Sequence, residues 1–495
     1  MTTTPTKNIV LIGGGHAHVQ VIKALNVNTR PSNVQVTLID IQSAASYSGM
    51  VPGCVSKLYT LPQVQIQIGP LAEWAGIDFV QGKVVGMSLE DEEKKTVQVE
   101  VNDAENGGAI MKEVPFDVVS VDVGSTTRDF SRIPGASQYS ISTRPISSLV
   151  LRIQREEELL KERLDNGTVK AAHFVVVGGG PAGIELSLAI RARFNEMLDS
   201  NLSITLIDSS DGLLENESPA CRKALESVMA KYNIDVRNSL LVDEVTSSHV
   251  HVHSSKDQSI REKIEYTHII WATGAEAHDL SWSLNKQCGL AVSKTRGWIQ
   301  VNSNLQSLSH PYIFAAGDCC EIVNDNKKSP PKAGVYAVRS GPILIENLTR
   351  MVGATKCSQE QLVPYHPQDD FLKLLMCGDG TALGFRFGIP LYGKWVWSLK
   401  DYIDVMFMDL FDVNKLPKLD ETKGEYDTSQ YDASIERPPP MAADEAAKLL
   451  LRTDDDVDFH RAWDVLRDMM ADDKYKSEVL DLARLSLDEQ QSKIM

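Results

Sequence analysis

A chain of 495 residues with a formal net charge of −17 is too acidic to favour nucleic acid, whose phosphates need Lys and Arg to neutralise them, or general attraction to anionic lipid. Its 42% hydrophobic and 24% charged residues are ordinary for a folded cytosolic protein, and no apolar run approaches the roughly 18 residues of a membrane span. Seven scattered cysteines without a Cys-x-x-Cys speak against zinc and thioredoxin-like motifs, and the polar start Met1–Lys7 predicts no signal peptide.

Residues 8–40 read as strand, helix, strand. The apolar run Ile9-Val10-Leu11-Ile12 enters Gly13-Gly14-Gly15-His16-Ala17-His18, and the next strand ends at Asp40. In such a turn the first glycine permits the tight exit from the strand, and the second lets the backbone approach a pyrophosphate. The following helix offers free N–H groups and a positive dipole end. An acidic residue about 20 positions further on accepts ribose hydroxyls, and Asp40 lies 22 past His18. His18 replaces the third glycine, which predicts a helix standing slightly further from its strand. His16 is a candidate pyrophosphate donor, with a partly exposed turn histidine as the equal alternative.

The stretch Ala44–Leu61, with Tyr47-Ser48-Gly49-Met50-Val51-Pro52-Gly53, is punctuated by glycine and proline and is expected to line a cofactor. Strands near Phe79–Met87, Thr96–Val101 and Met111–Val114 form a meander, with a loop at Asn106-Gly107-Gly108. A buried strand, Phe116–Val123, then ends at Gly124-Ser125. The solvated helix Leu149–Leu164 opens a second half of the same order. Strand Ala172–Val177 runs into the complete fingerprint Gly178-Gly179-Gly180-Pro181-Ala182-Gly183, and strand Ile204–Asp208 ends 25 residues past Gly183. A second meander spans about Val242–His268, and strand Ile269–Ala272 ends at Thr273-Gly274. Two such turns in one chain imply two dinucleotides held at once.

Strand Tyr312–Ala316 ends in Gly317-Asp318, and helix Gly334–Leu348 carries Gly341-Pro342, which predicts a kink because proline removes a backbone donor. A third unit is strand-rich first and helical after Trp395. There Trp395, Leu399, Ile403, Met406 and Leu410 make a stripe expected to pack onto the first nucleotide domain. Residues 441–495 hold 14 acidic and 8 basic side chains, with Phe459, Trp463, Leu466 and Met470 on one helix face. The expected class is α/β with two nested Rossmann-like domains, 1–135 with 296–350 and 136–295. A small C-terminal α+β unit (357–415), a linker (416–440) and an acidic helical tail (441–495) follow.

These residues resemble the FAD-dependent pyridine nucleotide-disulfide oxidoreductase superfamily, in its branch without the redox disulfide. That branch includes type II NADH dehydrogenases and apoptosis-inducing-factor-like oxidoreductases. The motifs at 13–18, 47–53, 334–342 and 378–404 are most similar to the flavoprotein module fused to selenide, water dikinase, whose kinase half is absent here. The resemblance implies FAD on Gly13, Gly15, His16 and Ala17 with Asp40. It implies NADH on Gly178, Gly180, Pro181, Ala182 and Gly183 with Asp208. The Asp208 carboxylate would repel a 2′-phosphate, while Ser209-Ser210 leave modest tolerance for NADPH. Asp318, after Gly317, would bind the ribityl chain, and Lys83 and Val84 would meet the adenine. Gly49, Met50, Pro52, Gly124 and Gly274 would line the cofactors. Gly334 and Val335 would open a helix aimed at the flavin's pyrimidine edge, where Lys332 adds positive charge. Glu185 would stand near the nicotinamide, with a solvated helix glutamate as the plain alternative.

The implied activity is hydride transfer from NAD(P)H to flavin, then electron transfer to a quinone or similar carrier. The aromatic residues after Trp395 leave room for a quinone-admitting surface and peripheral membrane contact on an otherwise cytoplasmic protein. A dithiol relay would need a Cys-x4-Cys pair where only Cys54 occurs. Three rivals stand beside this reading. One is a sulfide:quinone-reductase-like enzyme using Cys54, Cys319, Cys320 or Cys377. Another is a redox-sensing NAD(H)-binding flavoprotein that docks through its acidic tail. The third is a pseudo-enzyme that has lost FAD, suggested by His18.

Overall fold

Four of the six residues of strand Lys7–Ile12 are buried in an unbroken run, the pattern of a strand covered on both faces by helices. A computed structural model describes residues 6–89, 94–103, 107–324, 328–353 and 361–419. Most of the expected linker, the helix face from Phe459 to Met470 and Asn106 lie outside the described residues. Lys7–Ile12 is central in a five-stranded parallel sheet of order Ile313–Ala315, Val118–Val121, Lys7–Ile12, Val34–Asp40, Asp78–Gln81. A second five-stranded parallel sheet has the order Ile141–Ser142, His268–Trp271, Ala172–Val177, Leu202–Ile207, Ile234–Arg237. In both, the strand that enters the glycine turn lies between the return strand and the strand that leads to the acid. The repeat anticipated from sequence is therefore also a repeat of topology.

Each half carries a three-stranded antiparallel meander. The first comprises Lys83–Ser88, Thr96–Asn102 and Ala109–Pro115, and the second Leu240–Val245, His249–Ser254 and Arg261–Glu265. The strand expected over Phe79–Met87 is in fact two. Asp78–Gln81 joins the parallel sheet beside Thr37–Asp40, and the meander begins at Lys83. Gly82 makes the break: its N–H donates to the Asp40 carbonyl at 2.8 Å, and a side chain there would crowd Val99 and Val101 at 2.7 Å. The short antiparallel pair Thr126–Thr127 and Ala275–Glu276 ties the two halves together. The third unit pairs Lys373–Met376, Ala382–Arg386 and Ile389–Gly393 antiparallel, and helix Lys394–Asp409 packs on that sheet.

Pro342 lies inside the helix Gly334–Gly353. Without an N–H it leaves the Val338 carbonyl, four residues back, short of its helical donor. Gln20 Nε2 supplies the missing bond at 2.8 Å and also reaches the His16 carbonyl at 3.0 Å. Gly341 makes room for this, since a methyl there would overlap the Gln20 side chain. The proline read from sequence as a kink is thus where this helix is bonded to the first helix, just beyond the first glycine turn. Gln20→Leu should cost about 1 kcal/mol by removing the bond to a half-buried carbonyl. Chemical denaturation measures this, and an unchanged midpoint would mean that the Val338 carbonyl has another partner.

Candidate functional site

The two glycine turns are stitched identically. Gly13 N–H donates to Ile39 and Gly178 N–H to Ile207, each at 2.8 Å. Asp122 N–H donates to Ile12 and Ala272 N–H to Val177, again at 2.8 Å. Gly13 and Gly178 have φ of +89° and +114°, which side chains rarely tolerate. A Cβ on Gly13 would strike the Asp122 carbonyl oxygen, and one on Gly178 would fall 2.5 Å from the Ala272 carbonyl oxygen. A Cβ on Gly183 would strike the Gly178 carbonyl, whereas Gly180 and Gly124 face open space. Asp40 Oδ2 accepts the Gly14 N–H at 2.7 Å, and Asp208 Oδ1 accepts the Gly179 N–H at 3.2 Å. Each acid thus reaches the turn of its own half. Pro181 starts helix Pro181–Leu198 at a position where its missing N–H costs nothing, followed by Ala182.

His18 is where the structure departs from the fingerprint. The ring that replaces the third glycine is buried and used as a polar staple. Its Nδ1 lies 2.6 Å from the Gly13 carbonyl and its Nε2 2.8 Å from Ser120 Oγ. Burial pushes its pKa down to about 4, against the opposing bond to Gly13, so the ring is neutral. His16 packs edge-on to Tyr47 at 5.2 Å between ring centroids, and burial lowers its pKa although Asp318 pulls the other way. Ala17 is fully buried, and its N–H donates to Asp122 Oδ2 at 2.9 Å. Sequence reading passed over Asp122, which lies only two residues before Gly124.

The other anticipated positions gather around the first turn. Asp318, after Gly317 (φ +70°), accepts Ser125 Oγ–H at 3.1 Å and faces the Arg144 guanidinium at 3.6 Å. Gly334 opens its helix 3.7 Å from Ser48 Oγ and 4.0 Å from the His16 ring, as judged by a Cβ placed there, with Val335 next. Gly49 lies against the Tyr47 ring, and Met50 and Pro52 are buried. Lys83, exposed, and Val84, buried, begin the meander beside Asp40. Gly274 lies against Arg128. Lys332 lines a cavity with Gly317, Asp318 and Tyr336. Its ammonium donates to the Cys320 carbonyl and lies 4.4 Å from the Trp298 ring centroid.

Glu185 is not a solvated helix glutamate. Its Oε1 accepts the Met376 N–H at 2.9 Å, tying the second fingerprint's helix to the C-terminal sheet. Burial pushes its carboxyl up to about 7, against the nearby Lys400 ammonium and the Met376 N–H, with Asp404 adding to the rise. Lys400 Nζ donates to the Gly49 carbonyl at 2.8 Å and to Asp404 Oδ2 at 2.7 Å. Burial works against that charge, but Asp404 and Glu185 outweigh it and hold the lysine above its ordinary pKa. Asp404 also takes the Tyr47 hydroxyl, and Asp401 accepts Tyr59 O–H at 2.5 Å.

The buried face of helix Lys394–Asp409 is therefore Val396, Leu399, Lys400, Asp404 and Phe407. Of the apolar stripe expected there, Met406 and Leu410 are exposed. A Lys–Asp pair four residues apart ordinarily reads as a solvated helix surface, which hid this one. Cys54, Cys319 and Cys377 are buried. Burial raises the Cys54 and Cys377 thiols, the latter to about 12, and the bond from Cys320 together with burial raises Cys319.

The family model for pyridine nucleotide-disulphide oxidoreductases matches residues 7–341. The chain belongs to that family. A probable mitochondrial NADH-ubiquinone oxidoreductase of Schizosaccharomyces pombe is 23% identical over 333 residues, 64% of this chain and 58% of that protein. The chain thus spans under two thirds of that relative. Human ferroptosis suppressor protein 1 is 23% identical over 77% of this chain and 90% of its own length. NDH2 of Plasmodium falciparum, solved in complex with NADH, superposes with a TM-score of 0.69 at 17% identity, covering 84% of this chain and all of that one. At that identity the likeness is one of fold.

Beyond the residues that the family model matches, the Lys400–Asp404 pair fastens the C-terminal helix to the Gly49 segment. Lys400→Met should destabilise the protein by about 3–5 kcal/mol, because Asp404 is left buried without its counter-charge. Lys400→Met with Asp404→Leu should recover most of that loss. Denaturant midpoints test it; equal losses in the single and double variants would show that the pair itself is not what matters.

Proposed function

We propose that this chain is an FAD-dependent NAD(P)H dehydrogenase with a quinone as acceptor, holding FAD on the first glycine turn and NADH on the second. The observation that carries the reading is the duplicated turn, in which a positive-φ glycine lies against the end of the neighbouring strand and an acid closes the turn. That cradle fits a pyrophosphate because each turn opens a helix N-terminus, and in the second Gly180 leaves open space before it. Family membership and the NADH-ubiquinone oxidoreductase named among the relatives support it. Residues 1–135 with 296–350 form the FAD domain, 136–295 the NAD(P)H domain and 357–415 the interface unit. Bound FAD would take hydride from the nicotinamide and give two electrons to the quinone.

Asp40 and Asp208 exchange their turn amides for ribose hydroxyls, and the negative charge of Asp208 favours NADH over NADPH. Asp318 holds the ribityl chain while Arg144 offsets its charge. Reducing a quinone with one hydride equivalent consumes one further proton. Glu185, with its carboxyl near neutrality, holds such a proton below about pH 7 and loses it as pH rises through that value. The Met376 N–H orients its carboxyl, and the charges of Lys400 and Asp404 act on it in opposite directions. Val405 and Met406, exposed on the C-terminal helix, and Leu410 just past its end give a lipid-soluble acceptor an apolar approach. The sulfide-oxidising alternative draws no support from buried thiols held in their neutral form, since the thiolate is the nucleophile.

Rapid anaerobic mixing with NADH tests the proposal. The yellow protein should lose its visible flavin band within milliseconds and turn over a soluble quinone. Gly178→Val should keep the flavin yet slow the bleaching about a hundredfold or more. Bleaching at the native rate would mean that the nicotinamide binds elsewhere. A stable long-wavelength band without turnover would favour the redox-sensing reading. Glu185→Gln should lower quinone turnover about a hundredfold and remove its decline above neutral pH; a profile that still declines there assigns the proton to another group.

A further inference from the structure

Asp122 follows the return strand Val118–Val121, and its side chain turns under the first glycine turn. It is 2% exposed. One carboxylate oxygen accepts the N–H groups of Ala17 at 2.9 Å and His18 at 3.2 Å. A methyl on Gly15 would land on the same carboxylate, and one on Gly317 would fall 2.6 Å from it. Asp122 therefore lies between the two backbone segments assigned above to the FAD pyrophosphate and ribityl chain. The second half shows the plain version of this position. Its equivalent, by the matching backbone bonds, is Ala272, and the third glycine is present there as Gly183.

The groups facing Asp122 do little to offset its charge. Asp40, from the strand on the far side of Lys7–Ile12, and Asp318, from the 317–319 turn, both add repulsion. Cys319, on that same turn, is a buried thiol held neutral. The His18 ring is neutral and bonded to Gly13 and Ser120. The His16 ring packs on Tyr47 and Phe407, and Arg144 is paired with Asp318. Burial pushes the Asp122 carboxyl up to about 7, opposed by the His18 and Ala17 amides and reinforced by Asp318 and Asp40. A pyrophosphate brings further negative charge into a place where water screens poorly.

We propose that Asp122 takes up a proton as FAD binds, so that the acid form admits the pyrophosphate and the carboxylate opposes it. The inference rests on the assignment of FAD to the first turn. Its sign follows from linkage. Where Asp122 is already protonated in the flavin-free chain, affinity is independent of pH. Above neutrality each FAD bound requires one proton, and the dissociation constant rises as much as about tenfold per pH unit.

The test uses the full chain freed of flavin, titrated with FAD by quenching of flavin fluorescence between pH 6 and 9. The dissociation constant should be flat up to about neutrality and then rise steeply. Asp122→Asn, which keeps an acceptor oxygen for both amides, should bind FAD with an almost flat profile and outbind the parent at pH 8.5. Calorimetry of FAD binding to the unaltered chain at pH 8, in buffers of different ionisation enthalpy, should register uptake of a substantial part of one proton. A flat profile in the parent, no proton uptake, or a slope that survives in Asp122→Asn would overturn the proposal, the last pointing to Asp40. Absence of FAD binding at every pH would instead sink the flavin assignment, and this inference with it.

Discussion

In both halves of this protein a turn glycine is pressed against the backbone at the end of the adjacent return strand, at a distance that a single methyl group would abolish. The contact forces positive φ, sets where the chain leaves the strand and brings the end of a third strand within reach. Asp40 and Asp208 stand on that third strand end and accept the amide of the middle glycine. Three parallel strand ends thus converge on one point, the crevice beyond the carboxyl ends of the strands where α/β folds bind nucleotides. The parallel register makes this possible, since Ile12 pairs with Val121 and Val177 with Trp271.

The two turns are built alike but surrounded differently. The second keeps its third glycine and has Ala272 beneath it, an apolar and neutral floor. The first replaces both with polar groups, a buried neutral histidine and a buried carboxylic acid. It is also bonded to the late helix through Gln20, which serves the carbonyl that Pro342 leaves free. The C-terminal unit then joins both halves, because Lys400 reaches Gly49 and Asp404 while Glu185 takes the Met376 amide. A buried ion pair is a weak source of net stability. Here it fixes which helix face turns inward, as the exposure of Met406 and Leu410 makes plain.

The turns, the acids and the repeated order were legible in the sequence because their signals are local: glycine spacing, an apolar run before it and an acid about one βαβ unit later. Four features were not. The split of the Phe79–Met87 strand depends on Gly82 meeting Val99 and Val101 across the meander. The His18 staple needs Ser120, more than a hundred residues away. Asp122 comes just past the strand Val118–Val121, and its partners are amides with no sequence signature. Lys400 and Asp404 follow a spacing that ordinarily marks a solvated face, and only the C-terminal fold reverses that meaning. In each case a contact distant in sequence decides how a local pattern is read.

The central claim is that the amino-terminal turn cradles a tightly held flavin. Gentle purification of the full chain, followed by denaturation and quantitation of the released chromophore, measures that directly. The account predicts close to one FAD per chain, released only on unfolding. A colourless protein that yields no flavin, and takes up none when FAD is added, would contradict it.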